Sequence, residues 1–165
     1  MAFTSTQFIF IVISLFTVGC GFLVVVSRNL YHAALWLIAT FFGVAALYAM
    51  LEAEFLAVAQ VLIYIGAIAT LIVFAIMLSR GMMMGRVKMS NFQWGVSAFT
   101  AGGIFILLVI VLLQINWPVI EDSVSPTAIA DIGEALVNSY VVPFEVVSVL
   151  LLVALVGAIM IAREQ

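Results

Sequence analysis

Long apolar stretches separated by short polar segments dominate the chain. Five stretches are long enough to cross a bilayer as helices, since a hydrocarbon core of about 30 Å takes about 20 apolar residues. They cover residues 8–26, 30–51, 55–78, 94–115 and 144–162. The pattern predicts an all-α integral membrane protein with five transmembrane helices in a single membrane domain, residues 1–165. The first stretch lacks the basic start and the cleavage site of a signal peptide, so we interpret it as a retained span.

Composition strengthens this prediction. Of the 165 residues, 67% are apolar and 8% are charged, and the mean hydropathy is +1.40. A soluble domain has about 45–50% apolar and about 25% charged residues, so this chain cannot cover its apolar side chains with a polar surface. The net charge of −3 gives no sign of nucleic-acid binding. One cysteine, Cys20, and one histidine, His32, exclude an internal disulfide and a bis-histidine haem supplied by this chain alone.

The charged residues predict the orientation. All basic residues fall on one side of the five spans: Arg28, Arg80, Arg86, Lys88 and Arg163. By the positive-inside rule this side is the cytoplasm, so the N-terminus lies outside and the C-terminus inside. The opposite side carries the Glu52/Glu54 turn and the acidic segment 116–143. We therefore expect a multi-pass protein of the cell inner (plasma) membrane.

The outer segment 116–143 contains a possible surface helix. Ser125-Pro126 has the pattern of a helix cap followed by proline at the first helical position. The apolar residues after it fall on one face: Ile129, Ile132, Leu136 and Val137. Two interpretations stay open, a short helix on the outer membrane surface and a simple connector.

Asp, Glu, Lys and Arg side chains are missing from the middle of every predicted span. Glu54 and Glu145 lie near the outer ends of spans three and five, and His32 lies near the inner end of span two. A proton carrier needs titratable groups across the membrane centre, so the chain cannot be a self-sufficient pump or ion exchanger. It also lacks nucleotide-binding, zinc-binding and hydrolase motifs. We expect no catalytic residue, flavin, haem, iron–sulfur cluster, metal or quinone bound by this chain itself.

The third stretch has the most informative polar residues. Gln60 and Tyr64 are four residues apart and would share one face of an α-helix. Gly66 and Thr70, also four apart, would form a small face beside it. One interpretation is a packing seam. The other is a weak point in the helix, because glycine destabilises a helix interior and π-bulges often mark functional sites.

Residues 54–74 resemble the third membrane helix of subunit J of proton-pumping NADH:quinone oxidoreductase, respiratory complex I, the equivalent of mitochondrial chain 6. Two further stretches resemble this family in order. Asn29–Leu35 is similar to the start of its second helix, and the chain from Pro143-Phe144-Glu145 to Gly157-Ala158 is similar to its fifth. The resemblance covers essentially the whole chain and has the same five spans.

The resemblance implies a translocase subunit of the respiratory electron-transport chain that has no redox centre. It would contact the quinone-proximal, small carboxylate-bearing and antiporter-like subunits, with lipid around them. The complex would carry FMN and iron–sulfur clusters and use NADH and quinone. The family's third helix has a π-bulge at a Tyr-x-Gly motif, which here makes Tyr64 and Gly66 the conformational switch on the proton path, supported by Gln60 and Glu54. Glu145 would be an anchor at the outer end of span five.

Two positions depart from the family pattern. Leu30 stands where proline often follows the asparagine, which leaves the start of span two less sharply defined. Thr70 occupies a position that is usually apolar, and its hydroxyl could add a backbone hydrogen bond near the bulge. The alternative functions are a homologous subunit of a membrane-bound hydrogenase or of a multisubunit cation/proton antiporter, a stand-alone transporter, and a structural spacer.

Overall fold

The described part of the chain is entirely helical. A computed structural model describes residues 5–79, 94–115 and 127–163. The elements are α1 Ser5–Val26, α2 Leu30–Met50, α3 Glu54–Ala59, a π-helical segment Gln60–Ala69, α4 Thr70–Ser79, α5 Trp94–Gln114, α6 Ala128–Val137 and α7 Val141–Ala162. We call the continuous helix Glu54–Ser79, formed by α3, the π-helical segment and α4, the third span.

Five helices in this part of the chain are long and apolar enough to cross a membrane, which confirms the predicted fold class. The first and the fifth of them each begin three residues before the predicted start, and α7, which begins at Val141, contains Pro143 in its first turn. Proline is tolerated there since the first amides of a helix have no partner within it. The next amide, that of Phe144, already donates to the carbonyl of Tyr140 at 3.0 Å. The prediction that this helix starts after Pro143 is therefore wrong.

A sharp turn joins α1 and α2 into an antiparallel hairpin. The side-chain oxygen of Asn29 accepts a hydrogen bond from the amide of Tyr31 at 3.0 Å and caps α2. The carbonyl of Asn29 accepts from the amide of Ala33 at 2.9 Å. Asparagine is among the best N-cap residues, so α2 has a well-defined start at Leu30 without the proline that is frequent in the family.

Small residues bring α1 and α2 close together. A Cβ atom built at Gly43 would lie 3.0 Å from Cβ and 3.3 Å from Cα of Thr17, and closer still to the Thr17 hydroxyl. One turn further along the pair the roles are exchanged, because a Cβ at Gly21 would lie 3.8 Å from the methyl group of Thr40. Both threonine hydroxyls bond to carbonyls of their own helices. The hairpin is thus held by a threonine of each helix facing a glycine of the other.

The turn from α2 to α3 determines where the third span begins and in which direction it runs. The amide of Ala53 donates to the carbonyl of Tyr48 at 3.0 Å, and the amide of Glu52 donates to the carbonyl of Ala49 at 3.2 Å. This pair of bonds is a Schellman motif. Glu52 occupies its left-handed position with a φ of 58°, where glycine is the usual residue. The motif places the third span antiparallel to α2.

The chain divides into two compact units, and α6 and α7 belong to the second, residues 121–165. The observation of α6 confirms a short helix in the outer segment rather than a simple connector. It begins at Ala128 with Thr127 in the cap position, later than expected, while Ser125 and Pro126 lie outside the described residues. Its location on the membrane surface stays a prediction.

Few side chains are buried within this chain alone. The buried residues of the described part are small or polar: Cys20, Ala34, Gly43, Ala45, Gln60 and Ala69. The span within α5 and the span of α7 contain none. Large apolar side chains cover the outside of the helices, which is the expected surface of a protein surrounded by lipid or by other membrane subunits.

Candidate functional site: the third membrane span

The middle of the third span is wound as a π-helix over ten residues, Gln60–Ala69. In such a segment hydrogen bonds join residues five apart instead of four, so each turn contains extra chain. The flanking residues Ala59 and Thr70 keep ordinary right-handed helical angles. The helix therefore continues across the segment without a break. This confirms the π-helical irregularity that the family resemblance implied at the Tyr-x-Gly motif.

Both ends of the π-helical segment are buried against the rest of the chain. Gln60 is 6% exposed and Ala69 is 1% exposed. The same segment packs against α2. The centre of the segment, which contains Tyr64 and Gly66, faces outward. The segment is thus buried at both ends and exposed at its centre.

Gln60 and Tyr64 differ in environment, although an α-helix would place them on one face. Gln60 is buried, whereas Tyr64 is 46% exposed. Four residues come within about 40° of a full turn in either winding. The two side chains therefore share one side of the helix and differ in how far the rest of the chain covers each of them.

Within the part of the chain that the structure describes, the ring of Tyr64 contacts the ring of Phe41 in α2. Their ring centroids are 5.6 Å apart with an interplanar angle of 74°, which is an edge-to-face contact. Tyr64 lies ten residues beyond Glu54, in the middle part of the third span. Its hydroxyl can donate and accept hydrogen bonds, and the structure gives it no partner among the described residues. The ring is thus positioned and the hydroxyl is available.

Gly66 has more space around it than close packing between helices would leave. A Cβ atom built there would meet only the carbonyl oxygen of Val61, at 3.5 Å, which is an ordinary contact. Within this chain, Gly66 is therefore not required for the approach of another helix. Its outward position leaves two reasons for a glycine here: backbone freedom of the π-helical segment and contact with another subunit.

Thr70 follows directly on the π-helical segment. Its hydroxyl donates to the carbonyl oxygen of Ile65, five residues earlier, at 3.1 Å. This bond confirms the expectation that Thr70 adds a hydrogen bond to the backbone beside the bulge.

The two candidate glutamates lie away from this cluster. Glu54 is exposed at the first position of α3, where a carboxylate interacts favourably with the helix dipole. Glu145 is exposed in the first two turns of α7, which belongs to the second unit. The structure therefore brings together Tyr64, Gly66 and Thr70 on one segment and places Gln60 at its buried end.

Phe41 is the site residue that sequence reasoning missed. Phe41 and Phe42 are adjacent aromatic residues in an apolar helix, and nothing in the pattern distinguishes the one that faces the third span. The antiparallel hairpin of α2 and the third span determines which residues of the two helices lie opposite each other, and this shows that Phe41 contacts Tyr64.

Comparison with known proteins identifies the family. Residues 20–161 match the family model described as NADH-ubiquinone/plastoquinone oxidoreductase chain 6. The NAD(P)H-quinone oxidoreductase chain 6 of Leptolyngbya boryana is 36% identical over 157 residues, which cover 94% of this chain and 79% of the relative. The chloroplastic NAD(P)H-quinone oxidoreductase subunit 6 of Staurastrum punctulatum is 44% identical over 151 residues, which cover 88% of this chain and 83% of the relative.

A third relative has a different name. The F(420)H(2) dehydrogenase subunit J of Methanosarcina mazei is 38% identical over 162 residues, which cover 95% of this chain and 90% of the relative. These matches extend over nearly the whole chain, including the third span, and they confirm the resemblance inferred from residues 54–74. The chain belongs to the NADH-ubiquinone/plastoquinone oxidoreductase chain 6 family.

Proposed function

We propose that this chain is a membrane subunit of a proton-translocating NADH:quinone oxidoreductase and couples quinone reduction to proton movement through its third span. The family membership supports a place in an oxidoreductase complex of the membrane. The observation that carries the coupling role is the π-helical winding of Gln60–Ala69 in the middle part of the third span, around Tyr64 and Gly66.

The π-helical segment can act as a switch because a helix has a second way to pair its backbone groups. If the segment changes to α-helical pairing, the widened turn loses one residue. The two ends of the helix then rotate relative to each other by about 100°, which is the angle per residue of an α-helix. This rotation changes the direction in which the Tyr64 hydroxyl points. A hydroxyl near the membrane centre can complete or interrupt a path of hydrogen-bonded water.

The protons themselves would be carried by other subunits. The third span has no Asp, Glu, His, Lys or Arg between Glu54 and its end at Ser79. A gate of this kind works on the carboxylates of neighbouring chains, which agrees with the proposed small carboxylate-bearing, quinone-proximal and antiporter-like partners. Glu54 would mark the outer end of the gate, and Glu145 would anchor the outer end of α7.

The redox groups would also belong to other subunits. The described residues contain no group of three His, Cys, Asp or Glu side chains that could hold a metal. The single cysteine, Cys20, is buried between α1 and α2 and cannot ligate an iron–sulfur cluster alone. These side chains do not fit FMN or a cluster, so we derive no electron-transfer step in this chain.

Purification of the intact complex tests the function. An affinity tag on this chain should recover flavin, iron–sulfur clusters and NADH-dependent quinone reduction in one assembly. Recovery of hydrogenase subunits, or of cation/proton antiporter subunits without flavin, would contradict the proposal in favour of a homologous complex. Because one relative is named F(420)H(2) dehydrogenase subunit J, both NADH and reduced F420 should be tested as donors, and we expect NADH to be oxidised.

The orientation is a separate proposal with its own test. Because all basic residues segregate to one side, we propose that Arg86 faces the cytoplasm and that α6 faces outward in the plasma membrane. In intact cells, a membrane-impermeant thiol reagent should fail to label a cysteine at position 86, which lies outside the described residues, and should label an Asp131→Cys control. Efficient labelling of position 86 from outside would overturn this orientation.

A further inference from the structure

Thr70 differs from the other hydroxyl residues in the acceptor that it reaches. In the α-helices, hydroxyls donate to the carbonyl four residues earlier at 2.7–2.9 Å, namely Thr17, Thr40, Ser79, Thr100 and Ser148. The Thr70 hydroxyl instead donates to Ile65, five residues earlier. The longer step follows the wider turn of the preceding segment.

The Thr70 hydroxyl takes over a bond that its own amide does not make. In regular π-helical pairing the amide of Thr70 would donate to Ile65, but it donates to the carbonyl of Ala67. The Ile65 carbonyl receives the hydroxyl instead. In α-helical pairing the amide of Ala69 would satisfy the same carbonyl, and the hydroxyl would not be needed there. The Thr70 hydroxyl therefore stabilises the π-helical form more than the α-helical form.

We propose that Thr70 is a positioning residue that closes the end of the π-helical segment and holds the third span in its π-helical form. Thr70 is exposed on the surface of the chain, where lipid or another subunit offers the Ile65 carbonyl no bulk water. Loss of the hydroxyl then removes a donor that the Ile65 carbonyl has in the π-helical form and does not need in the α-helical form. Any effect on coupling rests on the proposed function, whereas the effect on helix form does not.

The test uses the purified, assembled complex and compares Thr70→Val with Thr70→Ser. Valine keeps the shape of threonine without the hydroxyl, and serine keeps the hydroxyl. Sorting of single-particle images by the winding of the third span gives the ratio of π-helical to α-helical forms. We expect valine to lower this ratio about threefold to tenfold, which is the range for one net hydrogen bond. Serine should retain the original ratio.

Two further variants make the outcome decisive. Thr70→Ala also lacks the hydroxyl and should behave as valine does, including where the valine variant fails to assemble. Thr100→Val removes a hydroxyl bonded four residues back in α5 and should leave the third span unchanged. A ratio within twofold of the unmodified complex in both Thr70→Val and Thr70→Ala would overturn the proposal, as would an equal loss in Thr70→Ser.

Activity separates this inference from the proposed function. Quinone reduction and proton uptake are measured on the same preparations. A shifted ratio with normal quinone reduction and normal proton uptake would support the role of Thr70 and contradict the switch. An unchanged ratio would overturn the role of Thr70 whatever the activity.

Discussion

Replacing Gly43 with alanine is expected to reduce the amount of assembled complex about tenfold. The added Cβ would lie 3.0 Å from Cβ and 3.3 Å from Cα of Thr17, and it would meet the Thr17 hydroxyl first. The helices must then separate, because the nearest atoms include backbone and a short side chain that is bonded to the carbonyl of Ile13. Overpacking of this kind typically costs 1–3 kcal/mol, and about 1.4 kcal/mol corresponds to a tenfold change.

Gly19→Ala is the matched control for this prediction. Gly19 lies in α1 of the same hairpin, and a Cβ built there meets nothing within 4 Å. Both substitutions gain the same helix propensity, so the difference between them isolates the steric cost. Native gel electrophoresis of solubilised membranes measures the assembled fraction. We expect Gly19→Ala to assemble normally.

A second substitution at Thr17 distinguishes a steric effect from any other consequence of losing Gly43. Thr17→Ala removes the hydroxyl oxygen that the new Cβ would meet first, so the double variant should regain part of the assembled fraction. Equal assembly of Gly43→Ala and Gly19→Ala would show that α1 and α2 do not meet as described.

The five spans could be predicted because their cause is local. A bilayer sets the length of an apolar helix, so the apolar runs alone predict the spans to within three residues at each end. The first residue of α7 was predicted three positions too late, because proline fits the first turn of a helix as well as the position before the helix. The turn at Glu52 was predicted, but its left-handed backbone could not be, since no glycine stands at that position to indicate it.

The contacts between spans could not be predicted in the same way. Gly19 and Gly43 both lie in apolar helices, and only the structure shows that one faces Thr17 and the other faces open space. The contact between Phe41 and Tyr64 could not be predicted either, because a helix that is apolar on all sides has no periodicity to reveal its packed face. The location of the π-helical segment came from the family resemblance, whereas the residues alone favoured a packing seam.

Gly66→Val is expected to lower quinone reduction and proton translocation together in a complex that still assembles. Within this chain a Cβ at Gly66 has room, with only the Val61 carbonyl at 3.5 Å, so the hairpin of α2 and the third span should stay intact. The branched side chain crowds the preceding turn, however, and the π-helical and α-helical forms differ in that turn. A difference of about 1.4 kcal/mol between the two forms changes their ratio about tenfold.

Two graded variants separate shape from hydrogen bonding in this prediction. Gly66→Ala adds only the Cβ that the structure accommodates, so its effect should be smaller than that of valine. Tyr64→Phe keeps the ring contact with Phe41, whose centroid is 5.6 Å away, and removes only the hydroxyl. We expect this variant to be milder than Gly66→Val and to affect proton movement through the loss of a hydrogen-bonding group.

The measurement for these variants is NADH-driven proton uptake in membranes whose complex is fully assembled, together with the rate of quinone reduction. Assembly must be shown on the same membranes, because Gly66 faces outward and a neighbouring subunit can contact it. The two rates should fall in proportion, since a gate that cannot change form blocks both the proton path and the electron transfer coupled to it. If an assembled Gly66→Val complex keeps normal rates of both, the third span is a structural spacer, and its π-helical winding serves packing alone.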